Sequence, residues 1–309
     1  MPIPQDVAKT NGNGFQEQGR RFYEQGQYVA AIAQWQQLYQ TAERQGDRLT
    51  QAQALNFLSM AQQQLGQWKQ AKATIEQSRT ILKAEQNVDA LVWAQTLNTQ
   101  ANLQLLTGQT QAALDNWIES ERYYRQIKDQ QGIWGSRLNQ AQALQSLGFY
   151  RRSRQMLEGL NQELKSTPAS PLKINSLRSL GNSLRVVGDL PGSKDALMAA
   201  LDLAKSLGLS REQSGILISL GNLAADSREP EAATEFLRQA SATATNDTEL
   251  LQAKLNQLRL YAEWGEDKSG FEEAQQLMPL LQQMPPGRSK TYSAINLASS
   301  LALLQGTME

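Results

Sequence analysis

The chain has 309 residues and contains neither cysteine nor histidine. A thiolate nucleophile, a Ser-His-Asp triad, a disulfide and a zinc site with nitrogen or sulfur ligands therefore have nothing to be built from. Catalysis would have to rest on carboxylates, Lys, Ser or Tyr. Carboxylate pairs such as Glu119/Glu121 and Glu272/Glu273 exist, but their setting reads as solvated helix surface. Gly12-Asn13-Gly14 is too short for a phosphate-binding loop and precedes no strand, and no calcium-loop spacing occurs. The expectation is a non-enzyme without cofactor or metal. What remains is recognition by hydrogen bonding. Asparagine carries a donor and an acceptor and can pair with an extended peptide backbone. Arginine offers a planar fork to a carboxylate. The two types recur in stripes: Asn175, Arg178, Asn182 and Arg185 in one segment, and Asn256 and Arg259 with Glu263 and Glu266 in another. Asn56, Asn98, Asn102 and Asn222 hold related places. Such a row is what a groove for a peptide segment would need. The competing reading is that each Asn bonds across to the next element and only fixes packing.

The elements that carry these stripes are read best from Asn175–Leu201. Leu177, Leu180, Leu184 and Val187 make the apolar stripe of one helix. Gly188 ends it, Asp189 caps the next helix, and Pro191 sits in that helix's first turn. Leu197, Ala200 and Leu201 form the second apolar face. Two helices this short cannot bury their faces alone, and the same unit recurs along the chain.

With Gly188 as reference, the counterparts are Gly26, Gly66, Gly108, Gly148, Arg228, Ser269 and Gly306. The steps between successive members are 40, 42, 40, 40, 40, 41 and 37 residues. Seven residues before the reference stand only small side chains: Gly19, Ser59, Ala101, Ala141, Gly181, Gly221, Ala262 and Ser299. Five residues after it stand Ala31, Ala71, Ala113, Ser153, Ser193, Ala233 and Ala274, again small. Nine residues after it stand Trp35, Ile75, Trp117, Leu157, Leu197, Leu237 and Met278, all bulky and apolar. Small residues let two helices approach, and a bulky one a turn later fills the gap. A period near 40 with this order predicts an all-α, right-handed α-α superhelix, a solenoid of seven helix pairs plus one unpaired C-terminal helix. The order resembles the tetratricopeptide repeat, whose usual period is about 34. The concave side is expected to be lined by the first helix of each pair, at 13, 10, 6 and 3 residues before the reference.

Residues 1–12 read as a disordered lead-in and 13–309 as one solenoid domain, with a bend expected at 166–171, where Pro168 and Pro171 disfavour helix. Pro279 is expected to kink its helix, and Met284-Pro285-Pro286-Gly287 to be a loop. In the last helix Leu297, Leu301 and Leu304 are expected to lie partly bare, as in a fragment. Formal net charge is zero, from 30 basic and 30 acidic residues, which argues against bulk attraction to nucleic acid or an anionic membrane. No apolar run is long enough for a membrane span, and the N-terminus carries no signal-peptide pattern. The expected compartment is the cytoplasm, or the periplasm if this is a mature or truncated form. Arg151, Arg152 and Arg154 begin a helix, the end where positive charge opposes the helix dipole.

Several segments also carry a family likeness. They are Gln27–Trp35, Leu65–Ala71, Leu138–Gly148, Tyr150-Arg151-Arg152, Leu177–Gly181, Gly188-Asp189-Leu190, Leu255–Leu258 and Tyr292–Ala298. In this order and spacing they resemble the N-terminal repeat region of cyanobacterial CHAT proteins, in which tetratricopeptide repeats precede a caspase-like domain. That domain's peptidase chemistry uses a His and a Cys, neither of which this chain has. The resemblance therefore implies a recognition arm without the catalytic domain. Its partner would be a protein or peptide, or such a C-terminal caspase-like domain.

Overall fold

The computed structural model describes residues 13–85, 89–284 and 288–306. The expectations for residues 1–12 and for the loop at 285–287 lie outside the described residues. The described residues are all-α, with no strand. The repeat array, expected as one domain over 13–309, divides into two compact units, Met1–Leu147 and Gly148–Glu309. The first unit holds α1 (Asn13–Glu24), α2 (Tyr28–Gln45), α3 (Arg48–Gln64), α4 (Trp68–Ala84), α5 (Ala90–Leu106), α6 (Thr110–Gln126) and α7 (Gln130–Ser146). The second holds α8 (Tyr150–Leu164), α9 (Pro171–Val186), α10 (Leu190–Ser206), α11 (Ser210–Asp226), α12 (Pro230–Thr243), α13 (Asp247–Trp264), α14 (Asp267–Gln283) and α15 (Arg288–Gly306). Odd-numbered helices are the first of each repeat and even-numbered ones the second. Residues 165–170 connect α8 to α9 inside the second unit, and Ser170 caps α9 by accepting from the Lys173 amide at 3.3 Å.

The turn logic is legible in the backbone. Gly26, Gly66, Gly108, Gly148 and Gly188 all take positive φ, the region that costs other residues steric strain. Arg228 takes it too, at φ 59°, although it is not glycine. Arg228→Gly is therefore expected to stabilise the chain by about 0.5–1 kcal/mol. A melting temperature that is unchanged or lower would contradict this. Asp189 caps α10, accepting from the Gly192 amide at 3.0 Å. Asp47, Asp89 and Asp129 do the same for α3, α5 and α7.

The small-and-large rule has a direct geometric basis. A methyl group at Gly19 would lie 2.3 Å from the Trp35 indole nitrogen. One at Gly181 would lie 2.6 Å from Leu197 Cγ, and one at Gly221 would lie 2.8 Å from Leu237 Cγ. No side chain fits there, so glycine is what admits the bulky residue of the facing helix. In the first unit the core gathers Trp35, Leu38, Phe57, Leu82 and Leu97, with the Trp35 and Phe57 rings 5.2 Å apart. In the second unit, one cluster forms around Leu197, Ile216, Leu220 and Leu237, and another around Leu251, Leu258, Leu277 and Leu304.

Beside the first core, Glu121 of α6 accepts from Arg125 at 2.6 Å, Arg137 at 3.0 Å and Gln140 at 2.7 Å. Burial pushes its carboxyl up, but these donors outweigh burial and hold it below its ordinary value of 4.5. A depressed native pKa stabilises above the unfolded value, and that stability is lost as pH falls through the native one. Acid titration of the melting temperature should show a loss below pH 4.5 that Glu121→Gln lacks. Parallel curves would contradict it.

The seventh repeat departs from the expected register. α13 ends at Gly265, with φ 72°, and Ser269 lies inside α14. The turn comes one helical turn early, because a glycine is available there to take the left-handed conformation. Met278, expected in the core, is 49% exposed; with the turn at Gly265 the place nine residues on falls to buried Ala274, and Leu277 enters the core three residues later. Glu266, expected on the concave side, is the N-cap residue of α14. α14 runs through Pro279 to Gln283. The last helix also differs from expectation. Leu297 and Leu304 are buried in the core shared with α13 and α14, and Leu301 packs against it. The exposed apolar residues of α15 are instead Tyr292, Ile295 and Leu303.

Candidate functional site

In the first unit two of the expected groove asparagines, Asn56 and Asn98, are bonded to neighbouring helices of the repeat array. Asn56 is 2% exposed; its amide donates to Thr96 Oγ1 at 2.9 Å and its carbonyl accepts from Ser78 at 2.9 Å. This corrects its expected place in a groove, since both polar ends are committed inside the core. Asn98 accepts from the Trp117 indole at 2.8 Å and from Asn139 at 3.2 Å. Asn102 is half-buried on α5. A sequence signal for Asn98 existed. A buried Trp nine residues after the turn needs an acceptor for its N–H. The facing position ten residues before the turn supplies it. Trp35 follows the same rule, using the backbone carbonyl of Gln16 at 3.4 Å.

In the second unit the stripe is different. Asn175, Arg178, Asn182 and Arg185 are all half-buried on α9. Arg185 forms an ion pair with Asp226 at the end of α11. Asn175, Arg178 and Asn182 make no hydrogen bond or ion pair with the described residues. Arg178 lies along α11 so closely that a methyl group at Gly215 would be 2.2 Å from its Nη1. Glycine at that point of α11 is what makes room for the guanidinium. Burial lowers the Arg178 pKa, and the charge of Glu212 works against that shift, with Arg211 opposing. Arg178 stays cationic throughout the accessible pH range because its ordinary value is so high. The result is a desolvated cation with Glu212 near it but not paired to it.

Further along the same row, Asn222 of α11 accepts from Arg259 Nη2 at 2.9 Å. Arg259 also reaches Glu263 at 2.7 Å. With the seventh turn placed at Gly265, Asn182, Asn222 and Arg259 hold the same position in three successive repeats. That equivalence puts Arg259 beside Asn222, and the shifted register hid it from the sequence. Asn256 donates to the Gln252 carbonyl of its own helix at 2.8 Å, a local bond that leaves it little reach. α11 is buried over nearly its whole circumference, so Gly215, Asn222 and Ala225 are its half-open points on this row. Residues that sequence reasoning missed are Gly215, which seats Arg178, and Asp226, which holds Arg185.

Chemically, this face can donate and accept hydrogen bonds along an extended chain and can meet one carboxylate at Arg178. No group of three or more acidic residues able to hold a metal occurs among the described residues. No described helix is long and apolar enough to cross a membrane.

No protein-family model matches the chain. No curated protein sequence matches it either. Solved structures do match. A Rap protein complexed with competence and sporulation factor aligns with a TM-score of 0.70 at 12% identity, over 96% of this chain and 87% of that one. NprR in complex with its cognate peptide NprX aligns at 0.63 and 12% identity, over 95% and 86%. A tetratricopeptide repeat protein from Parabacteroides merdae aligns at 0.59 and 11% identity, over 94% and 98%. At such identities the likeness concerns the fold alone: this chain has an all-α superhelical repeat fold similar to that of tetratricopeptide repeat structures.

Proposed function

We propose that the chain is a protein-interaction scaffold and that the α9–α11–α13 face binds an extended peptide segment of its partner. The observation that carries this reading is the pair Arg178 and Asn182, one turn apart on α9, both half-buried and neither hydrogen-bonded to the described residues. A purely structural row would have closed these groups on one another, as Asn56 and Asn98 are closed in the first unit. Two proteins of similar fold are complexed with competence and sporulation factor and with a cognate peptide, which supports a peptide as ligand class. The role requires no catalysis, cofactor, metal or nucleic acid.

The test is capture from an extract of the source organism, comparing the chain with an Arg178→Ala/Asn182→Ala variant. Arg185 is left alone because it is held by Asp226. A folded variant that loses a protein retained by the original supports the reading, and equal retention contradicts it. A second reading makes the chain the regulatory arm of a cyanobacterial CHAT protein, holding that protein's caspase-like domain. The exposed Tyr292, Ile295 and Leu303 on α15 favour it, since they offer an apolar surface for a folded domain. Under that reading Ile295→Glu, not the α9 variant, releases the captured protein.

A further inference from the structure

The second unit carries another surface that the α9–α11–α13 face does not use. Where α8 begins beside the end of α9, Gly148, Phe149, Tyr150, Arg151, Arg152 and Val187 line an open depression of about 520 Å³. Phe149 is 46% exposed and Tyr150 40%, and Val186 and Val187 beside them are also exposed. Arg152 stacks over the Phe149 ring with its Cζ 5.7 Å from the centroid. Arg151 and Arg152 are exposed and make no ion pair with the described residues. Arg154, one turn on, is paired with Glu158 at 3.3 Å. Asp189, two residues past Val187, is committed to capping α10.

Three unusual features coincide here. The residues at the N-cap position of the even-numbered helices are Gln27, Gln67, Gln109, Phe149, Asp189, Glu229 and Glu266. Phe149 is the apolar one among them; its lack of a side-chain cap is shared by the other even-numbered helices except α10. Two cations then sit in the first turn, where the helix dipole disfavours them. Two aromatic rings lie open to water beside them. The first-turn cations and the open rings cost stability, and the stacking of Arg152 on Phe149 offsets only part of it. Such agreement in breaking local rules marks a functional surface. Exposed aromatic rings with arginine are also the composition of an interface centre.

We infer that this depression is a second docking site, for an acidic peptide segment carrying an apolar side chain. The carboxylates would pair with Arg151 and Arg152, and would themselves suit the positive end of α8. The apolar side chain would lie on Phe149 and Val187. The site is separate from the Arg178 row and stands whether or not that row binds anything.

The test is selection from a displayed random dodecapeptide library on the full chain, followed by fluorescence anisotropy of the enriched peptides. The selected sequences should combine acidic residues with an apolar one. Their binding should weaken about tenfold or more in Arg151→Glu/Arg152→Glu and in Phe149→Ser. It should also weaken as salt rises from about 0.05 M to about 0.3 M. The charge reversal places carboxylates in the first turn of α8, so the variant must melt no lower than the original. Lys69→Glu, at the matching position of α4, should leave binding unchanged. An unsuccessful selection, peptides without acidic excess, or equal binding by the reversed variant would overturn the proposal. So would peptides lost in Arg178→Ala/Asn182→Ala, which would place them in the α9 face instead. Binding to phosphatidylserine vesicles with no peptide selected would also overturn it, in favour of a membrane surface.

Discussion

Trp117→Ala is expected to destabilise the first unit by about 3–5 kcal/mol. Trp117 is fully buried, at 0% exposure, in the place where α6 fits against α5. The substitution removes a large volume from a close-packed site, and helices held on both sides cannot collapse to refill it. It also deprives Asn98 of the indole N–H that it accepts at 2.8 Å, leaving Asn139 as its other donor. Trp117→Phe separates the two effects. It keeps much of the packing and loses the hydrogen bond, and should cost nearer 1 kcal/mol from that bond with a smaller packing loss. Urea unfolding followed by circular dichroism measures both. A loss under about 1 kcal/mol for the alanine variant would show that the site collapses, against the close packing argued here.

Gly215→Ala is expected to abolish capture of the partner while leaving the chain as stable or more so. The added methyl would stand 2.2 Å from Arg178 Nη1. The atom it meets is the far end of a flexible side chain, so the guanidinium swings away rather than the helices parting. Alanine inside α11 is favoured over glycine by up to about 1 kcal/mol, which offsets the disturbance. Binding should fall about tenfold or more, comparable to Arg178→Ala, because the cation no longer lies where the peptide passes. The pairing of unchanged or raised stability with lost binding is the signature. A variant that unfolds would show that Gly215 serves packing alone, and one that binds normally would show that the Arg178 position is irrelevant.

Much of the fold could be read from particular residues. Six turn positions from Gly26 to Arg228 take the left-handed conformation that the repeat register requires. The contacts of Gly19, Gly181 and Gly221 with bulky partners show why those positions had to be small. The seventh turn was misread because Ser269 satisfied the pattern of small and large neighbours. With the turn at Gly265 the corresponding places hold Leu258 and Ala274, the reverse of that pattern, and the glycine able to take the left-handed conformation decided the turn against it. The site was less legible. Composition cannot say whether an asparagine faces a groove or a neighbour, because both settings want a donor and an acceptor. Asn56 was resolved by Thr96 and Ser78, residues 40 and 22 positions away. Arg185 was resolved by Asp226, 41 positions away. Spacing within one helix contains no trace of either partner.

The most direct measurement places a photo-crosslinking residue, p-benzoylphenylalanine, at position 182 on α9, and separately at Asp195 on the exposed side of α10. Each form is irradiated in an extract of the source organism. If the α9–α11–α13 face binds a partner segment, position 182 gives a discrete adduct that Gly215→Ala removes, and position 195 gives none. An adduct from 195 alone, or one from 182 that survives Gly215→Ala, would contradict the assignment.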